Sequence, residues 1–191
     1  KTLIFKEIRY DDNIEETLKL CKSRVINNSK DIEALQNLAI IYHALRKDKE
    51  AIDIYEQLVR LEPNDFEMRA FLGYLYYEAN DLDNAADNLN KAAASDPMEP
   101  FILFLLGNIY ARKGEVVKAI ENYEFAIFLD FDIYIAHIDF ARKYENMGRF
   151  KRALDEYKAA FEIDSRDEAL KEKIAEIERE DTSSESLSPS A

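Results

Sequence analysis

The amino-acid sequence predicts an all-α chain built from one helical hairpin repeated along its length. Helix-breaking residues are scarce: 191 residues contain four glycines and four prolines, far below the usual ~7% and ~5%. A spacing of 34 residues recurs without insertion, at Tyr42, Tyr76, Tyr110 and Tyr144 and again at Ala51, Ala85, Ala119 and Ala153. Within each unit the apolar residues follow the helical i, i+3, i+4, i+7 pattern twice, on either side of a short polar break.

The same composition excludes other classes. Sandwiches and barrels need turn residues every ~8–12 positions. The sequence contains no G-x-G-x-x-G, G-x-x-x-x-G-K-[ST] or G-x-S-x-G motif. A single cysteine forbids an internal disulfide framework or a cysteine-based zinc site. At a formal charge of −13 the chain gains nothing from phosphate contacts, which argues against nucleic acid and anionic lipid as partners. Its densest apolar run, Phe101–Gly107, is too short to cross a membrane and ends at Asn108.

The repeating units span 32–65, 66–99, 100–133 and 134–167, and further columns hold the phase. Leu38, Leu72, Leu106 and Phe140 align, as do Tyr55, Leu89, Tyr123 and Tyr157; Ala39, Gly73, Gly107 and Ala141 form a column of small residues. In the second unit, Leu72, Leu75, Tyr76 and Ala79 trace one helix; after Asn80-Asp81 the pattern restarts with Leu82, Ala85, Leu89 and Ala92. Asn and Asp suit the turn and the next N-cap. Gly73 and Gly107 sit inside helices, where each costs roughly 1 kcal/mol relative to Ala, which predicts close helix contact. Gly114 and Gly148 are placed to end first helices in the left-handed conformation. Pro63 and Pro97 stop second helices, and Pro100 falls at a first helical position.

The 34-residue unit, with Leu72-Gly73-x-x-Tyr76, Ala85, Leu89, Ala92 and Pro97, resembles the tetratricopeptide repeat (TPR). The resemblance covers 32–167 as four units and reaches into a partial repeat at 1–31. There Ile14, Thr17, Leu18, Cys21 and Val25 fit a second helix, and 3–10 a degenerate first one. Phe131 and Ser165 replace the terminating proline, and Arg24 stands where the family has Ala. The resemblance implies a right-handed α-α superhelical solenoid of stacked helical hairpins with a concave groove, and a protein that binds peptides or partner proteins without chemistry of its own. Residues 168–180, with Leu170, Ile174 and Ile177 as an apolar stripe, read as a capping helix. Residues 181–191, rich in Ser, read as a flexible tail.

No residue pattern points to catalysis, a metal or another cofactor. His43 and His137 lie in different repeats with no Cys or His at ligand spacing, which assigns them to packing or to the groove. Asp81-x-Asp83-Asn84 echoes a calcium loop but lacks its Gly, and Ala92 occupies the place of the bidentate Glu. Cys21 falls on an apolar stripe, as a packing thiol. Acidic residues such as Glu50, Asp53 and Glu56 read as a solvated outer face.

In this architecture the first helix of each hairpin lines the groove. Projecting those helices places Asn37, Ile40, Phe71, Tyr74, Tyr77, Phe101, Phe104, Leu105, Asn108, Ile135, Ile138 and Arg142 on the candidate partner-binding face, with its apolar weight in the middle. An exposed apolar patch of that kind marks an interaction site. Repeats that clamp the acidic C-termini of heat-shock chaperones use a Lys–Asn–Asn–Lys–Arg set. Here those places hold Gln36, Ile40, Phe71, Phe101 and Leu105, or Ala70, Tyr74, Leu105, Ile135 and Asp139, so that clamp is not supported. Units 32–65, 66–99 and 100–133 carry −3, −5 and −2 and 134–167 is neutral, while residues 1–31 carry +1. That asymmetry suits head-to-tail stacking into a homo-oligomer, or the steering of a basic ligand.

The expectation is a non-catalytic interaction scaffold that holds an apolar or amphipathic segment of a protein partner. The alternatives are a self-assembling solenoid and the targeting domain of a larger enzyme. The unpaired cysteine and the lack of a signal pattern favour the cytoplasm, although a periplasmic or membrane-anchored parent would leave the same sequence.

Overall fold

Each polar break in the apolar periodicity becomes a tight turn between two helices. In the computed structural model, which describes residues 14–185 and side chains as far as Arg179, the chain forms α1 (Ile14–Asn27), α2 (Ile32–Ala44), α3 (Asp48–Leu61), α4 (Phe66–Glu78), α5 (Leu82–Ser95), α6 (Pro100–Arg112), α7 (Val116–Phe128), α8 (Ile133–Asn146), α9 (Phe150–Ile163) and α10 (Glu168–Glu185). No strand occurs among the described residues. The expected first helix at 3–10 lies outside them, as does the tail beyond residue 185.

Acidic residues start most of the helices. Asp31, Asp65, Asp81 and Asp132 accept from the backbone N–H of Ala34, Met68, Asn84 and Ile135. Asp167 does the same for Leu170. Each such cap contributes ~1 kcal/mol. Pro100 is the first residue of α6, as expected, behind Glu99, whose carboxylate accepts from the Phe101 N–H.

One column ends every first helix. Arg46, Asn80, Gly114 and Gly148, 34 residues apart, all have positive φ, at 60°, 65°, 75° and 66°. The residue after each donates its N–H back to the tyrosine column: Lys47 to the Tyr42 carbonyl, Asp81 to Tyr76, Glu115 to Tyr110 and Arg149 to Tyr144, at 2.8–2.9 Å. This is the Schellman arrangement. The two glycines were legible as caps and Asn80 as a turn residue, since Asn tolerates the left-handed region; Arg46 was not, because its side chain does not advertise a left-handed backbone. Left-handed backbone costs an L-residue ~1–2 kcal/mol and glycine carries ~0.5–1 kcal/mol of extra entropy, so Arg46→Gly is expected to stabilise the protein by about 0.5–1 kcal/mol. Thermal unfolding should register a rise of about 2–4 °C per kcal/mol, and an unchanged or lower midpoint contradicts the assignment.

The small-residue column also performs as expected. A Cβ on Gly73 would lie 2.6 Å from Leu89 Cγ, and one on Gly107 2.5 Å from Tyr123 Cε1. Glycine at these two places lets each first helix sit directly on the second helix of its hairpin.

The described residues form two compact units that divide between Leu129 and Asp130. In the first, α2–α3, α4–α5 and α6–α7 are hairpins, with α1 on α2, α3 on α4 and α5 on α6. In the second, α8–α9 is a hairpin and α10 packs on α9. The division falls where the chain departs from the repeat: Asp130 takes φ 63°, Phe131 replaces the usual proline, and α8 starts one residue ahead of phase behind the Asp132 cap.

In the second unit Leu170 and Ile177 of α10 are buried, and Ile174 is half-buried. Lys173 Nζ lies 2.8 Å from Glu145, which also accepts from the Tyr157 hydroxyl at 2.6 Å. Burial alone would raise the Glu145 carboxyl, but the hydrogen bonds from Lys173 and Tyr157 overcome it and hold it below the usual carboxylate range. α10 runs through Glu185, five residues beyond the sequence boundary, because each residue added to an existing helix closes another backbone hydrogen bond.

Candidate interaction surface

The first helices α2, α4, α6 and α8 carry all twelve residues expected on the partner-binding face, and burial divides them. Phe71, Tyr74, Tyr77, Phe101, Phe104, Leu105 and Asn108 are buried. Their exposure therefore differs from the sequence expectation of an open apolar surface. Aromatic side chains are long enough to reach adjacent helices of the stack. Phe71 stacks on Tyr55 of α3 at 4.6 Å between ring centroids, and Tyr74 meets His43 of α2 edge-on at 5.7 Å. Phe104 lies 6.1 Å from Phe101 and 6.4 Å from Tyr123 of α7. Asn108 accepts from the Tyr123 hydroxyl at 2.5 Å. The Arg112 guanidinium covers the Tyr77 ring at 5.2 Å. Every residue of α6 from Phe101 to Tyr110 is buried.

The remaining five reach the surface. Asn37 and Ile40 on α2 are half-buried in the first unit. In the second unit Ile135 is 49% exposed, Ile138 is half-buried and Arg142 exposed, with Asp139 3.9 Å from its guanidinium. In the first unit the seven buried residues form an interior aromatic layer, while Asn37 and Ile40 there, and Ile135, Ile138 and Arg142 in the second unit, reach the surface.

Both histidines are packing residues. His43 is buried with Nδ1 3.3 Å from Asp48, and His137 is buried with Nδ1 2.7 Å from Glu156. Cys21 is buried and unpaired, and burial pushes its thiol above the ordinary value, which suppresses the reactive thiolate. Arg24, out of place for the family, has a local purpose: it joins α1 to the start of α2 through Asp31 at 2.9 Å and Glu33 at 2.8 Å. Among the described residues no group of three or more His, Cys, Asp or Glu could hold a metal ion. No described helix is long and apolar enough to cross a membrane.

One surface feature was missed. The outer face of α7 exposes Val117, Phe125 and Phe128. Comparing the four second helices column by column would have found it, because the other repeats place polar or small residues there.

The capped, glycine-seated hairpins and their 34-residue phase define a helical-repeat protein. Two sequence families match it: one described as "Tetratricopeptide repeat" over residues 34–68 and one as "TPR repeat" over residues 73–114. The chain carries tetratricopeptide repeats over these residues. It is 31% identical over 127 residues to the BBSome complex member BBS4 of Bos taurus, covering 66% of this chain and 24% of that protein. It is 30% identical over 126 residues to lipopolysaccharide assembly protein B of Escherichia coli, covering 62% of this chain and 32% of the relative. The chain thus spans about a quarter to a third of the length of these relatives. The crystal structure of MamA superposes with a TM-score of 0.62 at 24% identity, over 86% of this chain and 92% of that one, a likeness of fold.

Proposed function

We propose that this protein is a non-catalytic scaffold whose first-helix faces hold an apolar or amphipathic segment of a partner protein. The observation that carries the reading is the distribution of residues on those helices. In the first unit a buried aromatic layer, Phe71, Tyr74, Tyr77, Phe101 and Phe104 with Leu105 and Asn108, packs α4 and α6. Side chains at the surface of the first helices, Asn37 and Ile40 in one unit and Ile135, Ile138 and Arg142 in the other, remain for contact. Side chains carried on preformed helices lower the entropy cost of binding. The similarity to a member of a named complex and to an assembly protein supports a partner of protein nature.

Site-specific photo-crosslinking in the native host tests this. A photoreactive residue at Ile40 or Ile135 should yield a discrete adduct with a partner protein; one at Lys49 or Lys151, on second helices, should not. Ile138→Glu should suppress the adduct formed from position 135. Equal adducts from all four positions, or none from positions 40 and 135, overturn the reading. An adduct with the mass of two copies would instead establish self-assembly.

A further inference from the structure

The most exposed apolar cluster of the first unit lies on α7, away from the first-helix faces. Val117 is 71% exposed, Phe128 79% and Phe125 38%, and the two phenylalanine rings lie 6.2 Å apart. The repeat phase shows why these three stand apart from other exposed apolar residues of α7. Val116, Ile120 and Ile127 occupy columns whose counterparts in α3 and α5, at Asp48, Ile52, Val59, Leu82, Ala86 and Ala93, are half-buried or buried. Val117, Phe125 and Phe128 occupy different columns. Val117 stands where the other repeats have Lys49, Asp83 and Lys151, and Phe128 where they have Arg60, Ala94 and Glu162, all exposed. Phe125 stands where they have Gln57, Lys91 and Ala159. α3 and α5 each pack against a following hairpin and still leave the Val117 and Phe128 columns in solvent. Repeat stacking therefore does not account for Val117 and Phe128, and Phe125, whose column is half-buried at Gln57 and Ala159 and exposed at Lys91, lies beside Phe128.

We propose that the outer face of α7 is a docking surface for a basic amphipathic segment of a partner protein, one that presents Lys or Arg beside bulky apolar side chains. Charge selects this occupant. Val117, Glu121, Glu124 and Phe128 fall at i, i+4, i+7 and i+11, on one stripe, and both glutamates are exposed. Phe128 ends the helix, where the carbonyl end of the macrodipole favours a cation. The one lysine of α7, Lys118, is tied to Glu115 at 2.5 Å. A second copy docked face to face would set Glu121 and Glu124 against their own counterparts, and an anionic bilayer would meet the same carboxylates. This surface lies on a second helix and the crosslinking above reads first helices, so the two tests succeed or fail independently.

The probe is a labelled helical peptide with a leucine face flanked by lysines, titrated against the whole chain by fluorescence anisotropy. A peptide with glutamate in place of each lysine is the comparison. The lysine peptide should bind, more weakly as salt rises. Phe125→Ser with Phe128→Ser, which leaves the charge unchanged, should weaken it by ~10-fold or more, as loss of aromatic anchors does. Glu121→Lys with Glu124→Lys should weaken the lysine peptide and admit the glutamate one. Circular dichroism verifies the fold of both variants. The pair Glu50→Lys and Asp53→Lys on α3, an equal charge change, should have little effect. The proposal is overturned if the lysine peptide does not bind, if the phenylalanine variant binds it unchanged, or if the α3 pair weakens it as much as the α7 pair. It is also overturned if the chain self-associates and Phe125→Ser with Phe128→Ser abolishes that association, which would make a second copy the occupant.

Discussion

Phe104→Ala is expected to destabilise the first unit by about 3–5 kcal/mol, the usual cost of emptying a large buried aromatic site. Phe104 has no exposed surface and sits between Phe101 of its own helix and Tyr123 of α7. The cavity would open where α6 meets its hairpin partner, and α6 is buried along ten consecutive residues. Urea unfolding followed by circular dichroism measures the change, and hydrogen exchange at the amides of α6 and α7 locates it. The experiment also separates two roles for the same side chain. An aromatic anchor lying open in a groove could be truncated for within about 0.5 kcal/mol, as surface substitutions usually are. A loss that small would return Phe104 to the surface and contradict the buried layer.

Gly107→Leu is expected to be comparably damaging for the opposite reason. The added Cβ alone would stand 2.5–2.9 Å from three atoms of the Tyr123 ring. That ring cannot swing aside freely, because its hydroxyl is bonded to Asn108. The better helix propensity of leucine returns only ~1 kcal/mol, while overpacking costs about 1–3 kcal/mol and sometimes more; here several added carbons must be housed between helices already in contact. Combining Gly107→Leu with Tyr123→Ala should recover part of the loss, since the two side chains compete for one volume. If Gly107→Leu unfolds at the wild-type urea midpoint, α6 and α7 do not approach as closely as the structure places them.

Several elements were legible because their causes are local. Pro100 at the start of α6 and Gly114 and Gly148 at the ends of first helices declare a backbone geometry through their own covalent structure. Gly73 and Gly107 declare close approach, since a mid-helix glycine needs a packing reason. Arg46 shares the same backbone geometry without declaring it, and only the column it occupies with Asn80 and the glycines exposes it. The sequence left the histidines between packing and the groove; the structure buries both beside Asp48 and Glu156, which lie on second helices that the turn brings alongside.

The candidate surface was less legible, and the twelve first-helix residues show why. Helical projection assigns a direction to Phe71, Phe101 or Ile135 but not a depth. Phe101 and Ile135 belong to corresponding faces of α6 and α8, yet one has no exposed surface and the other is 49% exposed. Depth depends on which other helices lie across a face, a sum over neighbours distant in sequence. On α7, Val117 and Phe128 stand in columns that are charged or small elsewhere, a contrast already present in the amino-acid order. The 34-residue phase, the caps and the hairpins follow from residues within a few turns of each other, so the sequence was sufficient for them. Which aromatic side chains form an interior layer, and which apolar ones stay in water, follows from how hairpins stack, and that was set only when the chain was folded.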